Sequence, residues 1–242
     1  MRTRAVLEIS VETLEAAVAA VRGGADRIEL CENLSVGGVT PSIELMREAR
    51  KHIGVPIFAM IRPRGGDFVY SAAEFEEMKR QIELARSAGM DGMVVGILTR
   101  DGRVDLQRNA DSVRLAAPLP VTFHRAFDEL PDLEHGLEDV IAAGATRVLT
   151  SGGAATAEEG CANIAQLVRQ AGTRIIILPG GGVRPQNLSK IVRATRAKEF
   201  HSGLSNLLPS HQNGHGEFEN GVRALIRVLE EESLNLQPAS TH

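Results

Sequence analysis

The sequence is poor in aromatic residues and in cysteine. Its 242 residues include no tryptophan and one tyrosine, so a hydrophobic core must be built mainly from aliphatic side chains. Two cysteines, Cys31 and Cys161, are too few for a disulfide framework or a zinc ribbon, and this usage is typical of a reducing compartment. We therefore expect a cytoplasmic protein.

Long apolar runs and an excess of positive charge are also absent. No stretch approaches the roughly 20 apolar residues of a membrane span, and the first residues, MRTRAVLEIS, have too short an apolar core for a signal peptide. Acidic and basic residues are interspersed, with a net charge of -4 and no basic stripe that would follow a phosphate backbone. These absences predict a protein that is not secreted, does not enter a membrane and does not bind nucleic acid.

Short runs rich in valine, isoleucine and leucine alternate with helical patterns, which is typical of repeated βα units around a parallel sheet. Eight such runs predict strands at residues 5–10, 27–31, 56–63, 92–98, 120–126, 147–152, 174–180 and 198–203. Helical spacing is clearest in residues 11–22, 42–52, 73–88 and 157–171. Together these units predict an α/β fold, a single (β/α)8 TIM barrel over residues 1–242, close to the roughly 250 residues typical of that fold.

An open doubly wound sheet is the main alternative, because its six strands would give a similar local pattern. Eight strands in regular alternation, with no segment left over for a second domain, favour closure of the barrel. Residues 205–220, rich in Asn, Gly and His, predict a loop before the last helix. A polar tail is predicted from about residue 233.

Polar residues at the carboxyl ends of barrel strands usually form the functional site. In this sequence the charges of both signs concentrate at that end, which favours a pocket over a purely structural ion-pair network. Glu8 and Glu29 lie within otherwise apolar strands, and a buried carboxylate needs a cation or hydrogen-bond donors. The available counter-ions are Arg62, Arg64 and Arg125.

The segment FHRAFD contains the densest polar cluster. His124 in this segment is the side chain best suited to exchange a proton near neutral pH, although a histidine hydrogen-bonded within the core is the other interpretation. His201 stands at the corresponding end of the last strand. The predicted catalytic residues are Glu8, Glu29, His124, Asp67 and His201.

Two kinds of segment predict an anion site. RPRGGDF places two guanidinium groups around a Gly-Gly turn, which suits a carboxylate or phosphate better than a solvated loop does. SGG and PGGGVRP follow strands and precede helices, so their amides can bind an anion, although tight βα turns need glycine anyway. The predicted substrate-binding residues are Arg62, Arg64, Arg125, Ser151, Gly152, Gly153, Gly181, Gly182 and Ser202.

Missing motifs narrow the reaction class. No lysine falls at the carboxyl end of a strand, which disfavours a Schiff-base aldolase. No dinucleotide fingerprint follows the first strand, and neither Cys-x-x-Cys nor a His-x-x-x-His helix is present. A nicotinamide enzyme and the strong zinc patterns are therefore not indicated.

Taken in order, LEISVE, RIELCENLSVGGVTPS, MIRPRGGDFVY, DGMVVGIL, TFHRAFD, LTSGG, LPGGGV and FHSGLS resemble the copper homeostasis protein CutC family. The resemblance runs from about Leu7 to Ser205 and falls at successive strand ends. It implies a (β/α)8 barrel in the cytoplasm, a role in copper homeostasis, copper as a bound ion, and these strand-end residues as the shared site.

The sequence therefore leaves two main functions open, copper binding and catalysis. For copper binding, Cys31 is the predicted metal ligand, because Cu(I) prefers thiolate or thioether sulfur and no other cysteine ends a strand; Met60 and Met93 are expected to pack in the core. The alternative is an enzyme of lyase, isomerase or hydrolase type acting on a small anionic or sugar-like substrate. An interaction scaffold is disfavoured by the converging ionisable groups. A small molecule or metal ion is the expected partner, and a homodimer is expected from the frequency of that symmetry.

Overall fold

The structure is a computed structural model that describes residues 4–204 and 215–235. Over these residues, strands and helices alternate along the whole chain. The strands are β1 (Val6–Val11), β2 (Arg27–Leu30), β3 (Ile57–Met60), β4 (Gly92–Val95), β5 (Val121–Phe123), β6 (Arg147–Thr150), β7 (Ile176–Pro179) and β8 (Glu199–Ser202). The α-helices are α1 (Leu14–Gly23), α2 (Ile43–His52), α3 (Ala72–Ser87), α4 (Leu106–Ala116), α5 (Leu133–Ala142), α6 (Cys161–Ala171), α7 (Pro185–Thr195) and α8 (Gly216–Asn235).

The eight strands form one parallel sheet in the order β7-β6-β5-β4-β3-β2-β1-β8. Because β1 pairs with both β2 and β8, the sheet curls into a nearly closed barrel with the helices outside. The predicted TIM barrel is confirmed. The order differs from that of an open doubly wound sheet, in which the strand order reverses at a switch point.

Side chains along each strand point alternately to the core between strands and helices and to the inside of the barrel. In β1, Leu7 and Ile9 point outward and pack in the main aliphatic core between strands and helices. Glu8, between them, points into the barrel and contacts Arg27 and His201. The inside of the barrel therefore contains buried charged side chains, together with a small apolar cluster that includes Phe58 and Met60.

Several predicted boundaries are wrong. Seven of the eight strands are shorter than predicted, and β1 keeps its predicted length but is shifted by one residue; β3 ends at Met60 and not at residue 63. Helix α6 begins at Cys161, four residues later than predicted, because residues 157–160 form turns. Helix α8 begins at Gly216 and continues to Asn235, so residues 216–220 are helix and not loop.

Residues 205–214 of the predicted late loop lie outside the described residues, as does the chain after Asn235. None of the described helices is both long enough and apolar enough to cross a membrane.

Candidate functional site

A cavity of about 600 Å³ opens at the carboxyl end of the barrel. Residues on or just after every strand except β4 contribute to its wall. The predicted site residues that line it are Glu29, Arg62, His124, Arg125, Gly153, Gly181, Gly182 and His201. The structure thus brings residues from six separate strand ends to one cavity, and their roles in chemistry stay a prediction.

Four charged side chains form a buried ion-pair network below the cavity. Arg27 contacts Oε2 of Glu8 through Nε and Oε2 of Glu199 through Nη2, each at 2.5 Å. Nε of Arg147 lies 2.9 Å from the same oxygen of Glu199. The two guanidinium groups stand 5.0 and 5.1 Å from the ring centroid of Phe58. Every charge in the network has an opposite partner, as burial of ions requires.

The predicted counter-ions of Glu8 are wrong. Its carboxylate contacts Arg27 and His201 and none of the three arginines at the strand ends. The reason is register: Glu8 lies opposite Arg27 on β2 and opposite His201 on β8, and all three side chains face inward. The arginines that were predicted for this role are Arg62, Arg64 and Arg125.

Glu8 and His201 form a buried hydrogen-bonded pair, with Nδ1 of His201 donating to Oε1 of Glu8 at 2.7 Å. Burial alone would raise the pKa of Glu8, but the hydrogen bond from His201 and the charge of Arg27 outweigh it and lower the pKa to about 2. Burial would likewise lower the pKa of His201, but the charge of Glu29 and the bond to Glu8 raise it. Glu8 is therefore an anion that keeps His201 basic.

Glu29 is the unsatisfied member of this group. Burial raises its pKa to about 7, the charge of His201 opposes the shift, and the charge of Glu8 adds to it. Its Oε2 is buried without a hydrogen-bond partner. Glu29 is thus a carboxyl group that exchanges its proton near neutral pH, on the floor of a cavity.

The charges around Glu29 and His201 balance in two ways. Glu8 and Glu199 offset Arg27 and Arg147. The site is then neutral either with an ionised Glu29 beside a protonated His201 or with a protonated Glu29 beside a neutral His201. Glu29 and His201 can therefore share one proton with no net charge left buried, and either can accept or return it.

His124 is neutral and fixed in one tautomer. Its Nδ1 accepts a hydrogen bond from the amide of Ala126 at 3.1 Å, so the ring proton is on Nε2. Burial and, to a smaller extent, the charge of Arg62 lower the pKa of His124 to about 3. The expectation of proton exchange near neutral pH is therefore not met at this residue; its chemistry is that of a hydrogen-bond donor.

Arg62 is a buried cation held by main-chain oxygens. Nη1 donates to the carbonyls of Val36 and Gly38, at 2.8 and 3.0 Å, and Nη2 donates to that of Gly66 at 2.7 Å. Among the described residues it forms no ion pair, and its Nε is buried without a partner. Its guanidinium lies 4.8 Å from the ring centroid of Phe68. Arg62 therefore offers a lone positive charge to the cavity.

Arg125 and the SGG turn are organised by Asp128, a residue the sequence prediction left out of the binding set. The carboxylate of Asp128 accepts hydrogen bonds from Nε of Arg125 at 2.8 Å and from the amides of Ser151 and Gly153 at 3.0 and 3.1 Å. Nη2 of Arg125 donates to Oγ of Ser151 at 2.9 Å. A Cβ on residue 181 would come within 3.3 Å of the Arg125 guanidinium, so the close packing of Arg125 against this turn requires a glycine there. Asp128 thereby fixes Arg125 at the rim.

Some predicted site residues do not line the cavity. Arg64 bonds Asp67 and Glu74 at 2.9 and 2.6 Å, outside the cavity, because alternation no longer governs the chain after β3 has ended. Of the two arginines in RPRGGDF that were predicted to bind an anion, Arg62 lines the cavity and Arg64 does not. Oγ of Ser202 donates to the carbonyl of Val183. The residues outside the cavity lining are Glu8, Arg64, Asp67, Ser151, Gly152, Ser202 and Cys31.

Among the described residues, Cys31 is not part of a group of three side chains that could hold a metal, and its role as a metal ligand stays a prediction. Its thiol is buried and donates to the carbonyl of Val11, and burial together with the charge of Glu29 raises its pKa, so it stays protonated. In the part of the chain that the structure describes, one group of three acidic or histidine side chains could hold a metal, Glu8, Glu29 and His201. Its oxygen and nitrogen atoms do not fit Cu(I), which prefers sulfur, and suit a divalent ion better.

Comparison with known proteins gives the family. The model of the CutC family matches residues 5–206. The chain belongs to the CutC family. A family protein CutC of Chromobacterium violaceum is 50% identical over 226 residues, covering 92% of each chain. The human copper homeostasis protein cutC homolog is 48% identical over 196 residues, which are 81% of this chain and 72% of the human one.

A solved structure agrees with this membership. The structure of a CutC protein from Streptococcus agalactiae matches with a TM-score of 0.78 and 35% identity, over 82% of this chain and 98% of that one. The family resemblance and the barrel predicted from the strand-end motifs are both confirmed.

Within this CutC-family barrel, sequence reasoning missed Arg27, Arg147 and Glu199. All three begin strands, an end of the barrel that usually serves folding rather than chemistry. A signal was present for Arg27: it lies two residues before Glu29 and so shares its inward face. The other two could be placed only once the barrel register was known.

Proposed function

We propose that this chain is an enzyme that moves a proton on a small anionic or sugar-like substrate bound at the mouth of the barrel. One observation carries the proposal: Glu29 lines the cavity, is buried, and has an oxygen without a hydrogen-bond partner. Arg62 and Arg125 line the same cavity and supply positive charge for an anionic group.

The pair of Glu29 and His201 supplies what such a reaction needs. Ionised Glu29 takes the proton from the substrate, and protonated His201 can return one, because the two residues share a proton in a neutral site. Glu8 orients His201 through the bond to Nδ1 and leaves Nε2 for the substrate. These roles fit a lyase or an isomerase, in which a proton leaves one atom and returns to another.

The test is exchange of substrate protons in D2O, followed by proton NMR in the presence of EDTA. The panel holds aldoses, ketoses, 2-oxo acids and hydroxy acids, each with and without a phosphate group. We expect at least one compound to lose a C–H signal, and Glu29→Gln to slow this loss by roughly 100- to 10,000-fold.

Glu129→Gln is the matched control, because Glu129 is an exposed carboxylate at the rim of the same cavity. Its exchange rate should stay within twofold of the original. Equal exchange in Glu29→Gln and the parent protein, or no exchange with any compound, contradicts the proposal.

Copper binding is the second function that we propose, and the names of the relatives favour it: the human and mouse relatives carry the name copper homeostasis protein cutC homolog. Carboxylate and imidazole donors of the buried glutamate and histidine group suit Cu(II), whereas Cys31 alone would give Cu(I) one sulfur ligand. Equilibrium titrations with Cu(I) and Cu(II) separate these cases.

We expect Cys31→Ser to leave the affinity for either ion unchanged, like the control Cys161→Ser, and His201→Asn to weaken Cu(II) binding at least tenfold. Loss of Cu(I) binding in Cys31→Ser alone would instead make the thiol the ligand.

A further inference from the structure

Three buried polar atoms on cavity-lining residues have no hydrogen-bond partner among the described residues. They are Nε2 of His124, Nε of Arg62 and Oε2 of Glu29. Unpartnered buried polar atoms are few in native proteins, and each calls for an explanation. Two of these atoms are donors and the third is a carboxyl oxygen, so a ligand that completes all three must accept two hydrogen bonds and present a proton.

His124 is built to donate from Nε2. The amide of Ala126 occupies Nδ1, and the ring packs 4.9 Å from Phe68 between ring centroids. A Cβ on Gly96 would come within 2.4 Å of the imidazole, so the space for the ring depends on that glycine. A neutral imidazole that donates from Nε2 can polarise a carbonyl group without carrying a charge itself.

Arg62 brings a second donor and a charge to the same region. Its guanidinium packs against the ring of Phe68, the same ring that contacts His124. Its positive charge lowers the pKa of His124. Three of its four Nη protons are bonded to carbonyls, and its Nε, buried without a partner, is a donor left for a ligand. A buried cation with no carboxylate partner favours an oxygen on which negative charge develops.

We propose that Nε2 of His124 and Nε of Arg62 hold the carbonyl oxygen of an α-hydroxy carbonyl substrate, which reacts through an enediol. This inference rests on the proposed proton-transfer function and names its substrate class. An α-hydroxy carbonyl is indicated because two proton-handling groups, Glu29 and His201, line the same cavity as the two donors.

The step balances without a cofactor. Ionised Glu29 takes the proton from the carbon next to the carbonyl, and the C–H electron pair becomes the C=C bond. The C=O π pair moves to the oxygen, where His124 and Arg62 donate to it. Protonated His201 gives its proton to this oxygen, which forms the enediol. Neutral His201 then takes the proton of the neighbouring hydroxyl, whose O–H electron pair becomes the new C=O π bond, while the C=C electron pair takes the proton from Glu29 at the former carbonyl carbon. The product is the isomeric α-hydroxy carbonyl.

Binding of an enediolate mimic tests the two donors separately from the base. The probe is glycolohydroxamate, a planar hydroxamic acid whose anion resembles an enediolate, measured by isothermal titration calorimetry in EDTA so that no metal can contribute; glycolamide, which lacks the N-hydroxyl group, is the comparison. We expect the hydroxamate to bind more tightly than glycolamide, and His124→Leu to weaken hydroxamate binding by roughly 10- to 100-fold. His124→Gln, which keeps a donor, should recover part of the affinity.

Arg64→Met is the matched control for Arg62→Met, because Arg64 belongs to the same loop but pairs with Glu74 and Asp67 outside the cavity. We expect a loss only for Arg62→Met. Since Arg62 also ties three carbonyls together, a folded circular dichroism spectrum is required of each variant. In addition, the Nε2 proton of His124 should shift downfield in the NMR spectrum of the parent protein when the hydroxamate binds.

The outcomes distinguish this inference from the function on which it rests. Hydroxamate binding that is unchanged in folded His124→Leu, or absent in the parent protein, overturns the inference. Binding that depends on His124 while no compound exchanges protons supports the oxygen site and contradicts the proton-transfer function. Exchange that depends on Glu29 but not on His124 supports that function and overturns the two-donor site.

Discussion

Arg27→Met is expected to lower the free energy of unfolding by about 3–5 kcal/mol, the range seen when one partner of a buried ion pair is removed. Arg27 is buried and bonds two carboxylates, Glu8 and Glu199. Without it, Glu8 keeps only His201, and Glu199 keeps only Arg147. Methionine fills similar space but supplies no charge, so the loss reports the ion pairs more than the packing.

Urea denaturation followed by circular dichroism measures this effect. Arg174→Met is the matched control, because Arg174 pairs with Glu138 at about half exposure and such pairs contribute about 0–1 kcal/mol. The double variant Arg27→Met, Glu8→Gln should be more stable than Arg27→Met alone, since it removes one uncompensated charge. A loss below that of the control would mean that the network contributes nothing to stability.

The free energy of unfolding is also expected to fall as the pH rises from 4.5 to 7, and Glu29→Gln is expected to remove most of that fall. In the unfolded chain Glu29 titrates near 4.5, whereas in the barrel its pKa is about 7. Its contribution is complete below pH 4.5 and is lost as the pH passes 7, because the unfolded state releases the proton first. At about 1.4 kcal/mol per pKa unit, the loss is on the order of 3 kcal/mol.

Two neighbours define the window for this measurement. The lowered pKa of Glu8 makes the protein lose stability when the pH falls below 4.5, and the raised pKa of His201 makes it lose stability above pH 6.5. Denaturation curves between pH 5 and 6.5 therefore report mainly Glu29. Glu158→Gln is the control, since the Lys190 bond lowers the pKa of that exposed group. If Glu29→Gln gives the same slope as the control, Glu29 is not buried as described.

The sequence predicted the barrel because each buried strand is a short aliphatic run and several helices end near a glycine before the next run. It also predicted which residues meet, because carboxyl ends of parallel strands share one end of the barrel: Glu29, His124 and His201 lie 172 residues apart at the extremes yet line one cavity. The functional end could be predicted without any contact being known.

The pairing inside the barrel could not be predicted in the same way. Glu8 and Arg27 are neighbours only because of the register between β1 and β2, which depends on how the whole sheet closes. The protonation states also needed the structure. His124 is neutral because of one bond to Ala126 and complete burial, and a sequence motif shows neither.

The directions of the Arg62 and Arg64 side chains also could not be predicted from the sequence. One residue separates them, which in a strand would place both on the same face. The strand ends at Met60, however, and the turn that follows directs Arg62 to carbonyls near the cavity and Arg64 to Glu74 at the start of α3. Side-chain direction after the end of a strand depends on the turn, and the turn on contacts far along the chain.

The Phe58 ring between Arg27 and Arg147 determines how a small molecule can reach and leave the cavity. These side chains fill the barrel at the amino ends of β2, β3 and β6, below Glu29. A molecule that reaches Glu29 from the mouth therefore has no second way out. In the proposed reaction, substrate would enter and product would leave by this one opening, so bound product would exclude the next substrate and act as a competitive inhibitor.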